Sequence, residues 1–460
     1  LPLVAGANEL LIKLVHFGWE WQFAFALEPQ AGAAAPPNVA AILAAPAEKR
    51  TPEQAAALRA YFDANQFADD GYQTLLGDLA ARRLELAELK SQIPTTMVMR
   101  ELAERRKTYL LNRGQYNDPA EEVTPGVPAA LPALPSDAPA DRLAFARWLV
   151  SPEHPLTARV TVNRLWQMLF GTGLVETAGD FGLQGSFPTH PDLLDWLAVE
   201  FIDSGWDVKH MLRLMVISKT YRQSSAVSPE QIARDPENEL LARGPRFRLH
   251  AEFIRDQALA AGGLLDGRIG GPSVNPYHPG DLWGELAHQK HNYKFTAQLY
   301  VQDHGADLYR RSMYTFWKRS VPPPNLNALD APSREVCTVR RERTNTPLQS
   351  LVLLNDPTFV EAARKLAERM MHHAGDDPRK AIDFAFEQVA ARRPRDEEAE
   401  VLLAEFIKQR DSFANEPEAA GALLGVGESP RDEGLDAAKH AAWTNVALVI
   451  LNLDEAITRN

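Results

Sequence analysis

A chain of 460 residues is long enough for two or three domains and a substantial core. Its formal charge of −12 argues against a general nucleic-acid binder, because a phosphate backbone demands a basic surface. A single cysteine excludes an intrachain disulfide framework and a thiolate zinc site, and without CxxCH this stretch has no attachment point for c-type haem. No apolar run is long enough for a membrane span; the longest, around Val446–Leu453, reads as part of an ordinary helix.

The chain opens on Leu1 rather than methionine, shows no signal peptide, and begins inside a β pattern. LPLVAGANELLIKLV and WEWQFAFALEP read as two strands, with Trp21, Phe23, Phe25 and Leu27 alternating to one face. A lone hairpin is marginal in water, so residues 1–29 are expected to end a truncated β-sandwich whose earlier strands lie in missing N-terminal domains, or else to pack on the helical body. Their rhythm is similar to the last strands of jelly-roll carbohydrate-binding modules. Residues 30–50 are rich in Ala and Pro and read as linker.

Residues 51–140 read as a helical hairpin arm followed by a Pro-rich extended segment. Thr51-Pro52-Glu53-Gln54 has the order of a capped helix start, and 70–92 has coiled-coil-like periodicity. From 141 to 460 a mainly α, multi-helix core domain is expected. Its helices fall at 156–170, from 190 to Gly205, from Asp207 to about Tyr221, and at 250–265. Later ones fall at 347–354, 357–373, 378–391, 396–412 and 437–457. Between them, 266–345 is a long loop rich in Gly, Pro and aromatics, of a length that is usually functional.

The most informative stretch closes that loop: DAPSREVCTVRRERTNTPLQSLVLLNDP, residues 330–357. It holds Arg334, Arg340, Arg341 and Arg343 with Asp330, Glu335 and Cys337. Thr346, Pro347 and Gln349 then start a helix as N-cap, first helical residue and capping-box partner. A positive segment entering a helix N-terminus can receive an anion; the alternative is that its arginines pair with nearby acids and pin the loop. A lone cysteine such as Cys337 is more often a small buried hydrophobe than a reactive thiol.

TFWKRSVPPPNLNALDAPSREVC and RTNTPLQSLVLLNDPTFVEAARKLAERM resemble the hallmark blocks of a planctomycete domain of unknown function, the fifteen-fifty-three domain. TTMVMRELAERRKTYLLNRGQYNDPAEEVTPGVPAAL, RLAFARWLVSPEHPLTARVTVNRLWQMLFGTGLVETAGDFGLQGSFPTHPDLLDWLAVEF and the final AAWTNVALVILNLDEAITR agree, so the resemblance covers roughly 95–460. It implies a C-terminal module of a long extracytoplasmic chain, periplasmic or at the cell surface. It also implies haem c on a missing N-terminal domain, and no cofactor in this chain. It assigns no reaction and no residue roles.

The leading expectation is a module that engages complex, anionic polysaccharide. Arg334, Arg340, Arg343, Asn345 and Asp330 would anchor it, and Trp317 would stack on a sugar ring. Asn163 and Arg164, beside Arg159, either line a site with His190 and Asp180 or brace the carbonyls of 179–185; bracing is the expected role. An enzyme would draw its catalytic groups from Asp330, Glu335 and His190; a scaffold without ligand is the third reading. YRRSMYTFWKR reads as a core strand with outward arginines. His278, His288, His291 and His304 lie among Asp281, Glu285, Asp303 and Asp307, but without ligand spacing no metal is expected.

Overall fold

The computed structural model describes residues 37–65, 70–280, 282–286 and 299–459. The β-sandwich expected at 1–29 lies outside these residues, as do Asp281, His288 and His291. The chain divides into two units, residues 1–105 and 106–460.

In the first unit, α1 (Pro37–Ala44) lies within the segment read as linker, before a short 3-10 turn at Ala47–Lys49. The turn closes because Arg50 Nε donates to the carbonyls of Ile42 (3.2 Å) and Ala45 (3.1 Å). Helix α2 (Pro52–Asn65) starts at the capping box read from sequence. The Thr51 N–H donates to Gln54 Oε1 (3.0 Å) and the Gln54 N–H to Thr51 Oγ1 (3.2 Å). Helix α3 (Asp70–Gln92) follows, and its Leu75, Leu79, Leu86 and Leu89 stay exposed rather than packed in a hairpin.

The second unit opens on an exposed antiparallel pair, β1 (Thr108–Leu111) and β2 (Pro119–Val123), in the Pro-rich segment expected to be simply extended. Then come α4 (Arg142–Leu149), α5 (Thr157–Phe170), α6 (Pro191–Asp203), α7 (Val208–Ile217) and α8 (Pro229–Arg234). The short β3 (Phe247–Arg248) leads into α9 (Ala251–Gly262), α10 (Leu282–Leu286), α11 (Pro324–Ala328) and α12 (Pro347–Asn355). The chain ends with α13 (Pro357–Ala374), α14 (Pro378–Val389), α15 (Asp396–Asn415), α16 (Pro417–Leu424), α17 (Ala437–Leu451), α18 (Asp454–Ile457) and β4 (Thr458–Arg459). The protein is mainly α-helical. No helix among the described residues is long and apolar enough to cross a membrane.

Two large apolar cores, with a small third cluster of Ala420, Leu424 and Ala441 between α16 and α17, hold the described residues of this unit. A smaller one joins α5, α6 and α7 through Val162, Leu165, Trp166, Leu197, Phe201 and Met211. The larger is organised on α13, whose Ala362, Ala363, Leu366, Ala367 and Met370 are fully buried against α9, α14 and α17. Small residues let these helices approach closely. A Cβ on Gly262 would lie 2.7 Å from the Ala362 carbonyl oxygen, so the α9–α13 crossing admits glycine alone without shifting backbone. Helix α17 is apolar nearly all round, which suits a helix enclosed by α13, α15 and α16.

Among the described residues between α9 and α11, buried arginines rather than strands tie the chain together. Arg255, 1 % exposed, donates to the carbonyls of Leu308 (2.7 Å) and Arg310 (3.0 Å) and to Ser312 Oγ (3.1 Å). Arg310 turns inward, donating to the carbonyls of Pro272 (2.8 Å) and Gly270 and lying 3.8 Å over the Tyr314 ring. YRRSMYTFWKR is therefore not the core strand read from its alternation. Met313 is exposed, Arg310 is buried, and Ser312–Tyr314 forms a 3-10 turn. Buried guanidinium groups need several acceptors, and irregular loop carbonyls supply them where a strand's would be occupied.

Two loops are fastened to α13 through Glu361, which is fully buried. Its carboxylate accepts from the hydroxyls of Tyr277 (2.8 Å) and Tyr309 (2.9 Å) and from the Ser429 N–H (2.6 Å). Burial, and then the neighbouring Glu361 charge, pushes the Tyr309 hydroxyl up to about 12, so it remains a donor. A Cβ on Gly427, at φ 88°, would sit 2.2 Å from the Glu361 carboxyl carbon, so the chain passes directly over this group. Replacing Glu361 by Ala should cost about 3–5 kcal/mol in urea unfolding, because the Tyr277, Tyr309 and Ser429 donors lose their acceptor and buried Arg364 loses its ion pair (3.6 Å). Tyr277→Phe should cost only about 1 kcal/mol.

Candidate functional site: an arginine cleft at the start of α9

Strand β3 pairs antiparallel with β4, Phe247 opposite Arg459 and Arg248 opposite Thr458. This short ladder fixes the approach to α9, whose N-cap position is His250. Arg248, His250 and Glu252 therefore follow one another at alternate positions across a strand-to-helix junction.

Facing them is the loop after α11. Asp330 takes a left-handed backbone (φ 62°), tolerable for Asp because its short polar side chain bonds locally. Its carboxylate accepts from Arg248 Nη2 (2.5 Å), the Thr344 N–H (2.6 Å), Thr344 Oγ1 (2.8 Å) and Gln349 Nε2 (3.3 Å). Asp330 thus clasps the two ends of the loop to each other and to β3. Gln349, 3 % exposed, joins the clasp to the helix start: its Oε1 accepts from the Thr346 N–H (3.3 Å). The capping residues read from sequence sit at the head of α12 as expected.

The loop's other guanidinium groups differ in their partners. Arg341 Nη1 donates to Glu252 Oε2 (2.8 Å). Burial is the strongest influence on the Glu252 carboxyl and would raise it, but the Arg341 bond, a backbone N–H bond and the Arg341 charge together hold the group below its ordinary range. Arg343 has no carboxylate partner. Its Nη1 donates to the Gly171 carbonyl (3.3 Å), its Nη2 to His250 Nε2 (3.4 Å), and the group lies 4.3 Å over the Phe247 ring. Its Nε is buried with no acceptor. Burial first, and then the charges of Arg248, Arg340 and Arg341, pull its pKa down. Arg340 is exposed and bonded to no carboxylate among the described residues. Four guanidinium groups here face two carboxylates, Asp330 and Glu252, and the local charge is positive in an acidic protein.

His250 stays neutral in this surrounding. Burial, then Arg341 and Arg343, push its pKa down to about 4, which leaves Nε2 free to accept from Arg343.

Of the residues singled out in the sequence, Asp330, Arg340 and Arg343 come together here. Arg334 (φ 60°) instead lies 4.4 Å over the Trp317 ring, and Trp317 Nε1 donates to the Ser333 carbonyl (2.8 Å). One face of Trp317 is therefore already covered. Glu335 is paired with Arg319 (2.6 Å) in an exposed ion pair. His190 is half-buried beside Thr189 Oγ1 (3.1 Å) and bonds none of the arginine-site residues. Asn345, Arg164 and Cys337 are exposed, so Cys337 is not the small buried hydrophobe that was expected.

Asn163 is fully buried and braces backbone, donating to the Val175 carbonyl (3.0 Å) and accepting from the Val175 N–H (2.9 Å). The braced carbonyl is Val175, upstream of the 179–185 segment. This turn after α5 also carries the Gly171 carbonyl that receives Arg343. Arg159 is paired with Asp195 (2.6 Å). His278 packs on Tyr300 with centroids 4.3 Å apart, and His304 bonds Glu428 (2.7 Å). No group of three metal-ligating side chains occurs among the described residues.

Sequence reasoning missed Arg248, His250 and Glu252. The available signal was the alternation in RFRLHAEF, four polar side chains (Arg246, Arg248, His250 and Glu252) at every second position into an amphipathic helix.

The chain belongs to the family described as PSD1, protein of unknown function (DUF1553), which matches residues 141–406, more than half of its length. That span includes β3, α9 and the arginine loop. No curated protein and no solved structure matches the chain.

His250 carries a pH signature. With a folded value about 4 against 6.5 ordinarily, the unfolded chain binds a proton between these pH values that the folded chain rejects. Stability should therefore fall as pH drops from about 6.5 to 4, by on the order of 2 kcal/mol. Thermal unfolding across that window should show a shallower slope in His250→Gln.

Proposed function

We propose that this protein is a binding module for an anionic carbohydrate, holding a sulfate or uronate carboxylate of a polysaccharide in the arginine cleft. The observation that carries this reading is Arg343: a guanidinium with no carboxylate partner among the described residues, held only by a carbonyl at 3.3 Å and an imidazole nitrogen at 3.4 Å, with exposed Arg340 as its neighbour. An isolated cationic group out of water is costly, and a bound oxyanion would supply the missing acceptors by charge-assisted hydrogen bonds. Neutral His250 suits this role, because its second nitrogen leaves a donor at the cleft without adding charge that must be desolvated.

The enzyme reading draws less support. Asp330 is engaged by Arg248, Thr344 and Gln349, and Glu335 is held by Arg319, so neither carboxylate stands free as an acid or base. An extracytoplasmic setting, with a c-type cytochrome elsewhere in a longer polypeptide, accords with this reading and rests on the family resemblance alone.

The test is retention of the purified chain on immobilised sulfated and uronate-rich glycans, with a neutral glucan as control. Arg340→Ala and Arg343→Lys should each weaken binding about 10-fold or more, the second because lysine cannot offer the planar fork. Retention should also fall steeply as salt rises toward ~0.5 M. Unfolding curves guard against a collapsed variant. Equal retention of both variants and the parent, or equal retention on the neutral glucan, would overturn the proposal.

A further inference from the structure

Helix α3 presents an apolar seam that nothing in its own unit covers. Leu75, Leu79, Leu86 and Leu89 are 67 %, 47 %, 49 % and 58 % exposed, and Ile93, one residue past the helix, is 55 % exposed. Their spacing alternates four, three, four, three if Arg82 is counted between Leu79 and Leu86. That is the a/d repeat of a left-handed coiled coil, with Leu79, Leu86 and Ile93 at a and Leu75, Arg82 and Leu89 at d. Leu84 (73 % exposed) falls at f, on the far face, and is not part of the seam.

The flanking charges identify the partner. In this register Asp78 and Glu85 occupy g, while Arg83 and Lys90 occupy e. Two copies side by side, parallel and in register, set each g against the e five residues later on the other copy. Asp78 then meets Arg83, and Glu85 meets Lys90, on both flanks of the seam. An antiparallel pair would oppose acid with acid and base with base. The single charge on the seam, Arg82, is held by Glu85 of its own helix (2.8 Å), which keeps its guanidinium at the edge. A charged d residue lowers stability while disfavouring other registers, since it must lie beside its equivalent. A 23-residue helix with a bare leucine row is also marginal alone, and a partner supplies the missing burial.

We infer that α3 is one strand of a parallel two-stranded coiled coil whose other strand is α3 of a second copy of this chain. This stands independently of the arginine cleft and of any ligand bound there.

Sedimentation of the full chain should give twice the chain mass at micromolar concentration. The double variant Leu79→Glu/Leu86→Glu should sediment as a monomer, its dimer constant weakened ~100-fold or more, with circular dichroism of the remaining helices kept. Because both leucines are exposed in the single chain, loss of fold is not the expected cause. Orientation is read separately with Leu86→Cys in a Cys337→Ser background. A parallel, in-register pair places the two a-position thiols together and should yield a disulfide-linked dimer under mild oxidation. A monomeric parent chain, a dimer that survives the double substitution, or no disulfide across position 86 would each overturn the inference.

Discussion

A buried guanidinium group must find acceptors, and this requirement organises much of the second unit. Arg255 and Arg310 meet it with loop carbonyls, and so tie together the described residues 263–280 and 299–323 between α9 and α11. Arg364, 1 % exposed, meets it through the carbonyl (2.7 Å) and hydroxyl (2.6 Å) of Ser429. Arg248 meets it with Asp330, and so ties β3 to the loop after α11. Arg343 is held more loosely, by one carbonyl and one imidazole nitrogen, both beyond 3.2 Å. Buried guanidinium nitrogens without an acceptor also remain on Arg248, Arg255, Arg310 and Arg364, so what sets Arg343 apart is the length of its contacts rather than its unbonded Nε.

The groups around Arg343 are each fixed by contacts elsewhere in the chain. Asn163 holds the turn that offers the Gly171 carbonyl, the β3–β4 ladder holds Phe247, and the Asp330 clasp holds the loop carrying Arg340, Arg341 and Arg343. Each comes from a different part of the chain: Asn163 is anchored on backbone, the ladder by backbone pairing, and the Asp330 clasp mainly by side chains. Preorganisation of this kind reduces the side-chain ordering cost of receiving a ligand. It also explains why Asp330, attractive as a catalytic carboxylate in the sequence, serves as a structural clasp.

Much of the helical body was legible in the residues. Caps at Thr51, Asp207 and Thr346, prolines at first helical positions, and Gly171 and Gly205 at helix ends placed most helices within a few residues. These signals are local, satisfying the orphan groups of a helix end with neighbours in sequence. Reading failed where the deciding contacts were distant. YRRSMYTFWKR alternates like a strand, yet Arg310 turns inward because carbonyls some forty residues earlier await it. Helix α16 went unread, and α1 was taken for linker, since short alanine-rich runs carry little periodicity.

The sequence by itself determined the helical class, the family, the loop in which arginines concentrate, and the heptad spacing of α3. Composition, caps and periodicity are properties of neighbouring residues and survive without coordinates. Only the tertiary structure decided which arginines are matched. Arg334 and Arg343 are nine residues apart and alike on paper, but one lies over Trp317 and the other faces Phe247, Gly171 and His250. A charge is matched or left unmatched by groups brought from elsewhere in the chain, and that pairing exists only once the chain has folded.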